Sequence, residues 1–289
     1  MPARAVLILV LGLVCASSSV VFIKLSRLDP VLLAAARLGV ASLLVGPWFV
    51  GQARVHWTFF RQEGRRTLWP AVLLGLHFIS WIIGARMTPA VNSSLLVNMV
   101  PLVTPLFLVV IAQERLQKAE LGATFVAFAG VLWLTGWDLE LSHEYFFGDL
   151  VCFGSMILFA LYLVLGRRNR DFPSVSLYMW PVYTVAGLVC AAIAFVTSDL
   201  SAGPWTSREL LLVLGLGVIP TVIGHSSVNY ALKQLRGQVV GVANLVQVIF
   251  AGVLAYFFLG EVPHLSFYPA SLLIAVGVAL VFRQRTARG

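Results

Sequence analysis

Apolar stretches of about 20 residues, the length that carries a helix across a bilayer core, follow one another down the chain with short polar breaks between them. The pattern predicts ten spans, at about residues 5–23, 30–50, 68–86, 90–112, 119–137, 148–165, 176–197, 209–231, 237–259 and 265–282. Each run is too long and too evenly apolar for an amphipathic surface helix, and the breaks leave no room for a soluble domain. The polar positions inside the runs are therefore the informative ones, because such groups turn away from lipid toward protein or water.

The polar pattern is written twice. Ala90-Val91-Asn92-Ser93-Ser94 opens an apolar span that ends at Gln113-Glu114-Arg115, and a second span follows through Gly130. Later, Val239-Val240-Gly241-Val242-Ala243-Asn244 opens a span that ends at Leu259-Gly260-Glu261, with another span through Gly277. Glycine follows the lone carboxylate by sixteen positions in both copies, Glu114 to Gly130 and Glu261 to Gly277. The expectation is an all-α integral membrane protein of ten transmembrane helices in two five-helix repeats, residues 1–140 and 141–289. Five crossings is an odd number, so the second repeat enters the membrane from the opposite side, an inverted topology recurrent in secondary transporters.

Composition agrees with this reading. Of 289 residues 60% are hydrophobic and 11% charged, and the mean hydropathy is +0.92, well above that of soluble domains. The net charge of +8 raises nucleic acid as a partner, but the basic residues follow the span map. Fifteen of the twenty fall on one side: Arg4, the 54–66 group, Arg115, Lys118, the 167–170 group, Lys233, Arg236 and the C-terminal arginines. The loop after span five holds Asp138, Glu140, Glu144 and Asp149 without a Lys or Arg. The positive-inside rule then sets both termini in the cytoplasm of a cell's inner (plasma) membrane, and the charge excess is a topology signal with no nucleic-acid partner implied. Met1 to Ile23 is read as a retained first helix and not as a cleaved leader. Cys15, Cys152 and Cys190 lie inside spans as small packing residues, and the five histidines make no metal-binding pair, so neither metal nor cofactor is implied.

Several spans carry polar candidates for a substrate pathway. Span one ends with Ser17-Ser18-Ser19 before Lys24, and span two holds Arg37 about two turns in. A guanidinium there is costly in hydrocarbon, so it faces protein or water; pairing with loop carbonyls or an outer carboxylate is the structural reading, and contact with substrate is the rival. His77, Ser80, Trp81 and Gly84 share one face of span three. Span four carries Asn98 between the opening serines and two prolines, Pro101 and Pro105, whose lost hydrogen bonds are tolerated at membrane depth beside a cavity. Tyr162 in span six is either a cavity residue or an interfacial anchor, and Trp48, Trp69 and Trp137 near span ends read as interfacial belt residues. Span eight sets His225 and Asn229 one turn apart, with His225 at the depth in its repeat that His77 has in the first. Span nine supplies Asn244 and Gln247. Lys24, Arg37, Glu114 and Glu261 are read as helix-end or structural charges.

Together these residues resemble an EamA-type member of the drug/metabolite transporter superfamily along nearly the whole chain. The resemblance is carried by Ser18 to Lys24, Ala36-Arg37-Leu38, the run from Asn98 to Pro105, and Glu114. In the second half it is carried by Ala160 to Val164, Gly224-His225, Asn229 to Leu232, and Leu259-Gly260-Glu261. It implies a central cavity made by helices one, three, four, six, eight and nine, and export of amino acids or related metabolites. Two departures stand out: Cys15-Ala16 occupy the region where the first helix commonly has tryptophan, and Gln247-Val248 replace a common Glu-Pro in helix nine. The second removes an ionisable group, so no coupling role carries over to it.

The expected function is an exporter of small metabolites, most plausibly amino acids, working by alternating access. Its partners are a small-molecule substrate and membrane lipids; the oligomeric state is left open. Since no span carries a midspan carboxylate, proton coupling would fall to a histidine, and an uncoupled facilitator is equally open. A multidrug or lipid-linked cargo exporter, an intramembrane enzyme and a non-transporting scaffold are the rivals.

Overall fold

The computed structural model describes residues 2–138, 145–198 and 204–283, the side chains of 135–138 excepted. Among these residues eight helical segments are long and apolar enough to cross a membrane. They are α1 (Ala3–Leu25), α2 (Pro30–Val55), α3 (Trp57–Met87), α4 (Ala90–Val110), α6 (Phe146–Arg168), α7 (Val175–Thr197), α8 (Ser207–Gln234) and α9 (Gly237–Leu259). The helix Lys118–Asp138, α5, and a shorter apolar helix, Phe267–Arg283, α10, pack against each other. Leu43, Trp48, Trp69, Leu106, Phe125, Phe195, Phe257 and Leu272 are all largely exposed. Such a belt is intolerable in water and ordinary in lipid, and the chain is a multi-pass membrane protein.

Local sequence sets the starts and stops. Asp29 caps α2 by accepting from Val31 N and Leu32 N at 2.9 and 3.1 Å, with Pro30 at the first helical position where no amide is needed. Ser174 caps α7 from Leu177 N at 3.1 Å, and Thr206 caps α8 from Glu209 N at 3.3 Å. The prolines of α4 divide it into Ala90–Asn98, a 3₁₀ turn Val100–Leu102 and Thr104–Val110. α9 breaks at the corresponding depth without proline, into Gly237–Asn244 and Val246–Leu259. α8 contains a π-helical stretch, Gly217–His225, around Pro220, and α1 is interrupted at Ser18.

Extensive pairings join the two halves of the chain, among them α2 with α7, α3 with α6, α5 with α10, α1 with α8 and α4 with α9. If each helix is exchanged for the one five places on, this set of pairs maps onto itself. Gly130 and Gly277 illustrate the exchange. A methyl group added at Gly130 would lie 2.7 Å from Ala270 O on α10, and one at Gly277 would lie 2.5 Å from Ala127 N on α5. Only a hydrogen fits where backbone meets backbone this closely.

Charges gather at two ends. At one, Arg66 donates to both Asp171 oxygens at 2.7 and 2.8 Å, Arg167 and Arg236 reach Glu114 and Glu120, and Lys233 bonds Phe172 O. Burial would raise the Asp171 carboxyl, but the Arg66 hydrogen bonds outweigh it and hold the group below the usual carboxylate range. At the other end Arg86 donates to three carbonyls, Ile23 O, Ser26 O and Leu28 O, at 3.3, 3.1 and 2.6 Å.

Two expectations are corrected here. Asp149 is not a loop charge: it is buried in the first turn of α6 and accepts from Thr88 Oγ1 at 2.6 Å. Loop carbonyls are held by Arg86, whereas Arg37 lies wholly inside the bundle. Glu140, Glu144, His143 and the final arginines Arg285 and Arg288 lie outside the described residues, as do the side chains of Trp137 and Asp138.

Candidate functional site

Two buried polar groupings occupy the middle of the bundle. The first begins at His77 on α3. Its Nδ1 lies 2.8 Å from Ser155 Oγ and 3.1 Å from Ser155 O, while the Ser155 hydroxyl donates to His77 O at 2.9 Å. Ser155 has spent its proton on that carbonyl, so both atoms facing Nδ1 are acceptors and the histidine proton sits on Nδ1. The His77 ring lies nearly parallel to those of Trp81 and Phe159, with centroids 5.9 and 4.7 Å away.

His225 on α8 approaches the same Phe159 from the other half, at 5.8 Å, and meets Phe78 edge-on at 5.0 Å. One turn on, Asn229 Nδ2 donates to Tyr162 OH at 2.6 Å and to His225 O at 2.9 Å. The two histidines placed at equivalent depths by the sequence thus converge on one aromatic ring of α6. Ser155, Phe159 and Phe78, which join them, carry no polar or motif signal beyond a lone serine among apolar residues.

The second grouping joins α4 to α9. Asn98 Nδ2 donates to Ser94 O at 2.8 Å, and Asn244 Nδ2 donates to Val240 O at 2.7 Å, each four residues back at its own helix break. Gln247 Nε2 donates to Asn98 Oδ1 at 3.0 Å and to Asn244 Oδ1 at 2.8 Å. The amide uses both its protons, and a carboxylate here would have none to give. The glutamine at this position is therefore the residue its two neighbours require.

Ser18 joins neither grouping: its hydroxyl donates to Cys15 O at 2.7 Å, at the interruption in α1. Arg37 is fully buried, with its guanidinium carbon 3.8 Å from the Phe78 ring centre; Nε and Nη2 donate to Thr221 Oγ1 at 3.0 and 2.9 Å. It reaches neither a loop carbonyl nor a carboxylate among the described residues. The expected pairing with loop carbonyls or an outer carboxylate is corrected, because its side chain points along the protein interior to a hydroxyl of α8.

Glu114 and Glu261 perform one task at opposite ends. Glu114 accepts from Gly237 N at 2.9 Å, where α9 begins, and from Arg167 Nε at 2.6 Å. Glu261 accepts from Ala90 N at 2.8 Å, where α4 begins, and pairs with Lys24 Nζ at 3.1 Å. The two bases occupy matching places at the ends of α6 and α1, and each also donates to a backbone carbonyl: Arg167 Nη1 to Leu232 O at 2.8 Å and Lys24 Nζ to Thr88 O at 2.9 Å. Each carboxylate thereby satisfies an open amide at a helix start. These contacts also mean that α4 and α9 run antiparallel.

Comparison with known proteins gives a consistent result. An uncharacterized transporter of Archaeoglobus fulgidus is 26% identical over 293 residues, spanning 97% of this chain and 98% of its own. A WAT1-related protein of Arabidopsis thaliana, At3g30340, is 24% identical over 280 residues, 85% of this chain and 76% of its own. A crystal structure 19% identical in sequence superposes with a TM-score of 0.78 over 97% of this chain and 98% of that one, which shows the shared fold. The EamA-like transporter family matches the sequence in two blocks, residues 3–136 and 146–283. With both halves matched and the interior polar residues shared between them, this chain belongs to the EamA-like transporter family.

Proposed function

We propose that the chain is a secondary transporter of ten crossings, built from inverted repeats 1–140 and 141–289, that exports small metabolites by alternating access. Amino acids or related compounds are the cargo this reading favours. The observation that carries it is the pair of equivalent Glu–base contacts at opposite ends of the antiparallel α4 and α9. Each contact holds the start of one repeat's broken helix to the other repeat. Releasing one while the other stays closed opens the interior to one side at a time, as a rocking pair of inverted repeats requires. The basic cluster at the Glu114 end supports reading that end, and both termini, as cytoplasmic in the inner membrane.

The cargo would pass the His77–Phe159–His225 row and the Asn98–Gln247–Asn244 group, whose polar atoms replace part of its hydration. The stacked rings of Trp81, His77 and Phe159 favour a second cargo class, amphiphilic drugs or lipid-linked compounds with a flat apolar part. Counterflow of labelled compounds by purified protein in liposomes, with and without a pH gradient, tests the reading. Saturable counterflow of an amino acid supports it, and counterflow of drugs alone supports the second cargo class. Folded protein that exchanges nothing across both panels contradicts transport. Acceleration by the gradient that His77→Gln and His225→Gln variants lack would assign proton coupling to the histidines.

A further inference from the structure

Arg37 stands apart from the other interior polar residues. Its side chain is fully buried and makes no ion pair among the described residues. Two of its nitrogens share one acceptor, Thr221 Oγ1, and the third, Nη1, is buried without a hydrogen-bond partner. Thr221 is locked in that role because its hydroxyl donates to Leu216 O at 2.7 Å, inside the π-helical stretch around Pro220. Irregular backbone of this kind recurs at functional sites.

His225, which also meets Phe78, repeats the feature. Phe78 underlies the guanidinium at 3.8 Å and meets the His225 ring at 5.0 Å, and His225 Nδ1 is also buried without a partner. A structural arginine in a membrane interior ordinarily acquires a carboxylate or several carbonyls. Here the surroundings supply a hydroxyl and an aromatic face and leave one nitrogen free. The neighbouring Tyr183 offers nothing more, since its hydroxyl is directed to Thr221 O at 2.8 Å and Ser226 Oγ at 3.1 Å.

We infer that Arg37 is the anchor for a carboxylate on the transported molecule, taken up at Nη1 when the bundle opens, with the rest of the cargo lying along Phe78 and the His225–Phe159 row. A planar guanidinium matches a carboxylate with two parallel hydrogen bonds, which a lysine cannot reproduce. The cargo's own charge then completes an interior that the protein leaves short of one anion. This rests on the transporter reading for the route to α2, and it narrows the cargo to carboxylates against cationic or neutral amphiphiles.

The test is thermal unfolding of the purified full-length protein at neutral pH with each of the proteinogenic L-amino acids and, separately, its carboxamide. The expected result is that at least one acid raises the melting midpoint while its amide does not. The Arg37→Gln variant should bind that acid about 10- to 100-fold more weakly, the loss expected for charged hydrogen bonds, with Arg37→Lys intermediate. The acid-against-amide comparison is made on the unaltered protein, so it stands even where Arg37→Gln fails to fold. Equal stabilisation by acid and amide, or undiminished acid binding by folded Arg37→Gln, overturns the inference and leaves the transporter reading in place. Stabilisation by neither acids nor amides overturns it together with the amino-acid cargo, while counterflow of other compounds judges transport separately.

Discussion

The Glu114 and Glu261 ends share one plan and differ in strength. In both, the residue before the glutamate takes a left-handed conformation, Gln113 at φ 51° and Gly260 at φ 70°. In both, the glutamate N–H then bonds a carbonyl six residues back, Leu108 O at 3.0 Å and Ala255 O at 3.3 Å. The side chain returns to cap the other half's broken helix. The Glu114 end is sealed: Glu114 and Arg167 are 7% and 11% exposed, and Arg236 lies 3.9 Å from Glu114 while gripping Glu120. The Glu261 end has a single lysine, with Lys24 and Glu261 19% and 29% exposed. The two ends keep the same geometry and differ in burial, and on the proposed alternating-access reading the Glu261 end is the easier of the two to open.

That difference is broken most severely by removing each base in turn. Arg167→Met leaves a buried carboxylate short of its main partner and should cost about 3 kcal/mol of stability, in the range for breaking a buried pair. Lys24→Met, at the wetter end, should cost about 1 kcal/mol or less. Denaturant titration of the two purified variants checks the order, and equal losses would erase the asymmetry.

Gln247, on the seam between the ends, comes next. Gln247→Glu removes both donors that join Asn98 to Asn244 and leaves their oxygens unsatisfied, a loss of about 1–3 kcal/mol. Gln247→Ala should cost less than Gln247→Glu at neutral pH, since it brings no charge into the seam. Unfolding curves of the two variants side by side would show it, and the reverse order would refute the proposed hydrogen-bond directions.

The turns before the glutamates sharpen the comparison further. Gln113→Gly relieves a side chain from a left-handed backbone and should stabilise by roughly 0.5–1 kcal/mol, while Gly260→Ala should destabilise by about 1 kcal/mol. A shift of the same sign in both would mean the two turns are not equivalent.

The smallest effect expected is at Asp171. Its folded carboxyl is held below the unfolded value, so the Arg66 contact contributes above about pH 4, the ordinary aspartate range, and is lost as the pH falls through the lower folded value. With Asp171 half exposed, Asp171→Asn should cost well under about 1 kcal/mol at neutral pH. Melting profiles of the two proteins should converge in acid once the pH has fallen below the lowered folded value, where the aspartate of the parent is protonated.

Much of this plan was legible in the residue order. The glutamate and glycine recurrence set Glu114 against Glu261 and Gly130 against Gly277 as matching positions of two halves, because a lone carboxylate after an apolar run and a glycine within one are rare enough to align by eye. His77 and His225, set at matched depths by the sequence, meet the same Phe159 ring. Which face meets which helix was not legible: His77 finds Ser155 seventy-eight positions away, and Arg37 finds Thr221 at a separation of 184. Hydropathy fixes that a helix crosses but not its rotation about its own axis. The break in α9 was hidden because no proline announces it, and the π-helical stretch because Pro220 alone predicts only a kink. Asp149 misled because an acidic residue beside a loop reads as part of the loop until Thr88 is seen to cover it.

The central claim is that the two halves cross the membrane in opposite senses, and it is tested most directly by thiol labelling from one side. Arg115 and Val262 are exposed and directly follow the two glutamates. In a background with Cys15, Cys152 and Cys190 replaced, Val262→Cys should react with an impermeant maleimide on intact cells, and Arg115→Cys only after the membrane is permeabilised. Reaction of both from the same side would contradict inverted repeats, and with them the alternating opening built on the two glutamates.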